Sequence, residues 1–207
     1  MASTLKFYHR LVPGLADQPL GRLLDFVAAT DPAPGGGSSA AVAAALGAAL
    51  LEMAACLEVA RGDSEIGDEV AERARTLRAE ALDLADRDMS SYAPVIEAQR
   101  LPAADPTRAQ RLEAALAEAS HTPLAIAENA AEAAALGARV TAVCNPALRG
   151  DALAGVLIGE AAAAAAASLV EINLAGSGGP DLARAREARR RAQEAREDAL
   201  NILPRRS

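Results

Sequence analysis

The sequence predicts an all-α fold, an up-and-down helical bundle whose long central helices are rich in Ala and Gly. Of 207 residues, 55 are Ala and 26 are Leu, both at the helix-favouring end of the propensity scale. Two Phe, two Tyr and no Trp leave no run of β-branched and aromatic residues bounded by turn signals, which excludes all-β and disfavours α/β. A hydrophobic share of 51% at this length suits one domain over residues 1–207.

Start and stop signals place the elements in order. Pro19 stands at a first helical position before Leu20, Leu23, Leu24 and Val27, an amphipathic run that ends before Asp31-Pro32. The stretch from Pro32 to Ser39 then breaks the chain, and Ser38 or Ser39 is expected to cap a long helix that closes at Gly62. A third helix is expected from Asp63 or Ser64 to about Gln99, with Val70, Leu77, Leu84, Ser91 and Val95 near one stripe and Pro94 kinking or ending it. Asp105-Pro106 opens a helix from Thr107 to about Ala119, and Thr122-Pro123 opens one from Leu124 to about Leu136, with Gly137 as a break or bend. Asn145-Pro146 interrupts the chain again. A helix from Asp151 then runs to about Leu174, before the glycine-rich stretch to Pro180, and a last Arg- and Glu-rich helix covers Asp181 to about Ile202. Ser38–Ala60 and Asp151–Leu174 are expected to be the central pair, because Ala and Gly let helix axes approach to about 8 Å. Small side chains bury little area, so at least a homodimer is expected.

A net charge of −7 gives no general attraction for nucleic acid. Met1–Arg10 lacks an apolar secretory core, and Cys56 and Cys144, both in apolar surroundings, read as buried thiols, so a cytoplasmic protein is expected. Ala152–Ala175 is apolar enough to suggest a membrane span, but Glu160 and Glu171 argue for a buried helix of a soluble bundle with no membrane partner. His9 and His121 have no metal-ligand spacing, so no metal is expected. Phosphate-loop, dinucleotide-loop and nucleophile-elbow motifs do not occur.

Four places can carry chemistry. Gly35, Gly36 and Gly37 with Ser38 lead into a helix N-terminus, where free N–H groups and the dipole attract an anion or a flat polar ring; a plain capped turn fits equally. Asp88 and Tyr92 stand at i, i+4, so a buried carboxylate there can serve as general acid or base, against the plain reading of a surface Asp near Arg87. Asn145 and Asp151 flank a Pro-interrupted segment in which Asp151 can be a simple N-cap. Asn173 is a polar residue among apolar ones, able to reach a ligand or a helix end.

Leu23-x-x-Phe26, Ala33-Pro34-Gly35-Gly36-Gly37-Ser38, Asp88-x-x-x-Tyr92, Pro123, Asn145 to Asp151 and Ile172-Asn173-Leu174, in this order, resemble the cyclodeaminase/cyclohydrolase family. That family includes the C-terminal domain of formiminotransferase-cyclodeaminase and the stand-alone methenyltetrahydrofolate cyclohydrolases, and the resemblance runs from about residue 20 to 200. It implies an all-α dimeric bundle that binds a reduced folate in a cleft, with no cofactor beyond that substrate and no metal. It also implies that Asp88 is catalytic and that Gly35, Gly36, Gly37, Ser38, Tyr92, Asn145, Asp151 and Asn173 bind folate. Gly150 departs from the family pattern, where Ser usually precedes the Asp, and no stretch of these residues corresponds to the formiminotransferase domain.

The implied chemistry meets at 5,10-methenyltetrahydrofolate, reached by loss of ammonia from 5-formimino-tetrahydrofolate or consumed by water to give 10-formyl-tetrahydrofolate. One carboxylate of tuned pKa serves either reaction. The competing expectation is a non-enzymatic protein on the same scaffold; an adaptor coiled coil ranks last because the central helices lack heptads with flanking charge pairs.

Overall fold

The computed structural model describes residues 14–30, 34–62, 67–176 and 178–202, and among these there are helices and turns but no strand. After a short turn at Leu15–Asp17, the helices are α1 (Leu20–Ala28), α2 (Gly36–Arg61), α3 (Asp68–Ser91), α4 (Ala93–Gln99), α5 (Arg108–Ala119), α6 (His121–Val143), α7 (Arg149–Asn173) and α8 (Pro180–Asn201). Asp31–Ala33, where the expected break over Pro32–Ser39 begins, and the expected start of the third helix at Asp63 or Ser64 lie outside the described residues.

Side-chain pairs fix the directions. Ser38 meets Asp88 while Glu52 meets Arg75 and Arg78, so α2 and α3 run antiparallel. Arg73 binds Glu132 and the Asn129 amide donates to the Leu77 carbonyl, which sets α6 antiparallel to α3. Gly36 lies against Leu169 and Gly47 against Gly155, so α7 returns antiparallel beside α2, and Arg189 pairs with Glu171 to bring α8 back along α7. The five long helices therefore alternate up and down. The α4–α5 hairpin, the turn between α7 and α8, and the N-termini of α2, α6 and α8 share one end, here called the upper end.

The centre of the bundle is α6, which packs on α2, α3, α7 and α8. This corrects the expectation that α2 and α7 are the central pair. They lie side by side on one face of the bundle, each with one side against α6 and another turned outward. Cys144 is buried, but Cys56 is exposed on α2; apolar neighbours in sequence did not mean an inward-facing position.

Several helix boundaries differ from expectation for local reasons. Gly137 does not break α6, because it is a packing site: a Cβ there would stand 2.7 Å from both Leu51 and Val156 side-chain carbons. Thr122 and Pro123 are buried within the first turn of a helix that already starts at His121, and α7 begins at Arg149, so Asp151 sits inside its first turn. Asp105 precedes α5 and accepts from the Thr107 N–H and hydroxyl. Pro94 marks the junction of α3 and α4, as its ring demands.

Where α2 crosses α7, backbone nearly touches backbone. A Cβ on Gly155 would lie 3.0 Å from the Gly47 carbonyl oxygen and 2.9 Å from a Leu51 methyl. Gly155→Val will therefore force the two helices apart and lower stability by about 1–3 kcal/mol, read by urea unfolding. An unchanged midpoint would show that this crossing is looser than described.

Candidate active site

At the upper end the first turn of α2 has no cap from its own sequence. The helix starts at Gly36 with Gly35 extended before it, so neither Ser38 nor Ser39 occupies the expected cap position. Ser39 bonds back to the Gly35 carbonyl at 2.8 Å, and Ser38 points to α3, where its hydroxyl donates to Asp88 Oδ2 at 3.0 Å. The Ser38 N–H donates to the same carboxylate. Asp88 thus does from another helix what a capping side chain does locally, its charge facing the positive end of the α2 dipole.

The contact is close because Gly37 has no side chain. A Cβ at that position would stand 2.2 Å from Asp88 Oδ1 and 2.5 Å from Cγ. Burial pushes the Asp88 carboxyl above its ordinary value, and the Ser38 hydroxyl and N–H pull it partly back. A half-buried carboxylate poised in this way, with hydrogen-bond donors on one side, can exchange a proton with a ligand on the other.

The neighbouring carboxylate is structural. Asp86 Oδ1 accepts the Leu15 N–H at 2.6 Å and fixes the N-terminal turn to the end of α3, with Gly14 pressed so close that a Cβ would lie 2.5 Å from Asp86 Oδ2. Tyr92 ends α3 and is 43% exposed; among the described residues the donor to the Asp88 carboxylate is Ser38 rather than the tyrosine. Asn173 ends α7 at the same upper end, one turn beyond Leu169, whose methyls lie against Gly36.

Asn145 and Asp151 are elsewhere. The Asn145 N–H donates to Glu58 Oε1 at 3.1 Å, and its side-chain oxygen accepts from the Ala147 N–H. Glu58 lies twenty residues along α2 from Ser38, about 30 Å at 1.5 Å per residue. Within one chain, then, the expected folate residues fall into two groups at opposite ends. Gly35, Gly36, Gly37, Ser38, Asp88, Tyr92 and Asn173 form the upper group, and Asn145 and Asp151 the lower. Gly150 is exposed with open space around it, so a serine would fit there without displacing anything.

The lower group contains a residue the motifs did not single out. Glu58 is a carboxylate only 5% exposed, and it holds the turn after α6 through the Asn145 N–H. Its signal in the sequence is slight, one acid near the end of a run of Ala and Leu. At the start of α7 the Arg149 Nε is buried without a hydrogen-bond partner.

Comparison with known proteins bears on most of the chain. The sequence profile of the family described as formiminotransferase-cyclodeaminase matches residues 19–194. Formimidoyltransferase-cyclodeaminase from Gallus gallus is 31% identical over 117 residues, 55% of this chain and 22% of that protein, so the match spans about a fifth of its curated relative. The crystal structure of formiminotetrahydrofolate cyclodeaminase from Thermotoga maritima superposes with a TM-score of 0.78 at 22% identity, covering 91% of this chain and 97% of that one. At that identity the likeness is one of fold.

Proposed function

The chain belongs to the formiminotransferase-cyclodeaminase family, and from that premise we propose that it is a folate enzyme of one-carbon metabolism with Asp88 as its acid–base group. The observation that carries the reading is the Asp88 carboxylate seated on Gly37 at the N-terminus of α2 and hydrogen-bonded by Ser38.

The proposed reaction passes through 5,10-methenyltetrahydrofolate. In the cyclodeaminase direction N10 attacks the formimino carbon, and the tetrahedral adduct expels its amino group as ammonia once a general acid supplies a proton. In the cyclohydrolase direction water adds to the methenyl carbon, a general base takes its proton, and cleavage of the bond to N5 leaves the formyl group on N10. Asp88 serves the first reaction protonated and the second ionised. Gly35 and Gly36 offer the helix N-terminus to the pterin or to a substrate carboxylate, with Tyr92 and Asn173 at the rim. The protein works in the cytoplasm, as a homodimer, with no cofactor beyond its folate substrate.

Purified protein offered 5-formimino-tetrahydrofolate and, separately, 5,10-methenyltetrahydrofolate separates the directions. Growth of the methenyl absorbance identifies a cyclodeaminase, its accelerated decay a cyclohydrolase, and silence in both assigns the scaffold to a non-catalytic role.

The pH profile probes the geometry. The Ser38 hydroxyl favours the ionised form of Asp88, so Ser38→Ala removes that help and raises the carboxyl further. The limb of the rate profile that reports Asp88 will move upward, in either reaction direction. An unmoved limb would separate Ser38 from the titrating group.

A further inference from the structure

Both ends of α1 are tied to the Asp88 centre. Before it, the Leu15 N–H donates to Asp86 at 2.6 Å, two residues from Asp88, and Leu20 follows within about 17 Å of extended chain. After it, the chain returns to Gly35, the residue that opens α2. The helix therefore passes beside the site, yet it sits lightly on the bundle, with Leu23 as its one buried residue.

The bare side of α1 is apolar. Leu20 and Leu24 are 68% and 58% exposed, and Val27 is exposed with them. At 3.6 residues per turn these three stand within about 100° of Leu23 around the helix, whereas the charged Arg22 and Asp25 stand about 140° or more from Leu20. The exposed apolar groups thus flank the side that grips the bundle instead of forming its back. Two other elements add to them at the same end. Tyr92 lies one turn past Asp88 and is also exposed, and Ile172, 68% exposed, lies three residues beyond Leu169, whose methyls rest against Gly36. Scattered singly, such side chains need no explanation. Gathered from three elements around one half-buried carboxylate, they match the lining of a small-molecule site, apolar with a few placed polar groups.

The chemistry proposed for Asp88 says what fits among them. The reacting carbon bridges N5 and N10, and N10 is bonded directly to the p-aminobenzoyl ring. An aromatic ring therefore stands one bond from the atoms that Asp88 serves, with a large apolar surface to cover. We infer that Leu20, Leu24 and Val27 of α1, together with Tyr92 and Ile172, form an apolar subsite for the aryl arm of the substrate. This deepens the folate reading of Asp88 and rests on it. The arm is not altered in the reaction, so its contacts are equal in ground and transition states and act on binding, not on the chemical step.

The test is a Leu20→Gln, Leu24→Gln double variant, whose exposed positions leave the fold intact. Its KM for the folate substrate will rise about tenfold or more, as the lost burial of leucine surface requires, while kcat stays within about twofold of wild type. Leu20→Met, Leu24→Met keeps the apolar surface and will keep KM within about threefold of wild type. Ile172→Gln will raise KM in the same sense from a different helix, so the outcome does not hang on α1 staying helical. Titration calorimetry, which needs no turnover, separates the arm from the pterin. The double Gln variant will lose about tenfold in affinity for 5-formyl-tetrahydrofolate and nothing for 5-formyl-6-methyl-tetrahydropterin, which ends short of N10. Unchanged KM and affinity overturn the subsite. An equal loss for the pterin probe overturns it too, because α1 then shapes the site as a whole, and so does a change of mass in light scattering, which makes the face a contact between copies. A wild type that neither binds nor converts folate overturns the folate reading and the subsite with it. A wild type that does both beside an unaffected double Gln variant overturns the subsite alone.

Discussion

Gly37→Ala will abolish most activity and destabilise the protein, although alanine is the better helix former. In an exposed helix the change would gain up to about 1 kcal/mol. Here the new methyl would stand 2.2 Å from Asp88 Oδ1 and 2.5 Å from Cγ and Oδ2, far inside contact distance. Either the carboxylate swings away and gives up both Ser38 donors, or α2 and α3 move apart. Overpacking of this kind costs about 1–3 kcal/mol, and a displaced acid–base group costs roughly 10²-fold or more in rate. The sign should reverse once the carboxylate is gone: in an Asp88→Ala background, Gly37→Ala will be neutral or stabilising by urea unfolding. If it destabilises equally in both backgrounds, the Gly37–Asp88 contact is not the cause.

Asp88→Asn will lower the rate by roughly 10²- to 10⁴-fold, the usual range for a general acid or base, while the helical content stays unchanged. Stability separates this from a structural role. The folded-state carboxyl is raised, chiefly by burial, so its contribution to folding is fully present below the unfolded-state value and is lost as pH rises through the folded one. Asn carries no charge and escapes that loss. The variant will thus be at least as stable as the wild type at neutral pH, and its advantage will shrink towards pH 4; unfolding curves at both pH values check this. A loss of several kcal/mol at neutral pH would make Asp88 a strut for the end of α2 instead.

What could be read in advance follows from where the physics is local. Proline and glycine mark chain reversals whatever surrounds them, so the junction at Pro94, the break at Asn145-Pro146 and the closure of α2 at Gly62 stand where expected. Gly137 was legible only as a weakness in a helix, because the Leu51 and Val156 side chains that need its bareness come from two other helices. Ser38 looked like a cap for its own helix, since its real partner, Asp88, is fifty residues away. The pairing of a glycine turn with Asp88 came from the resemblance, not from spacing. The resemblance also put Asn145 and Asp151 on that list, and only the alternating directions of α2, α6 and α7 reveal how far they stand from Asp88 within one chain. Cys56 shows the same limit: an apolar stripe on α2 reads as core whether it faces the bundle or a second surface.

The most direct test of Asp88 as the acid–base group of a folate site is the methenyl-tetrahydrofolate absorbance, followed with wild type and Asp88→Asn side by side after subtraction of buffer-catalysed hydrolysis. The account predicts a change driven by the wild type, in the cyclohydrolase or the cyclodeaminase direction, that falls at least 10²-fold in a folded Asp88→Asn protein. Equal rates for the two proteins would contradict it.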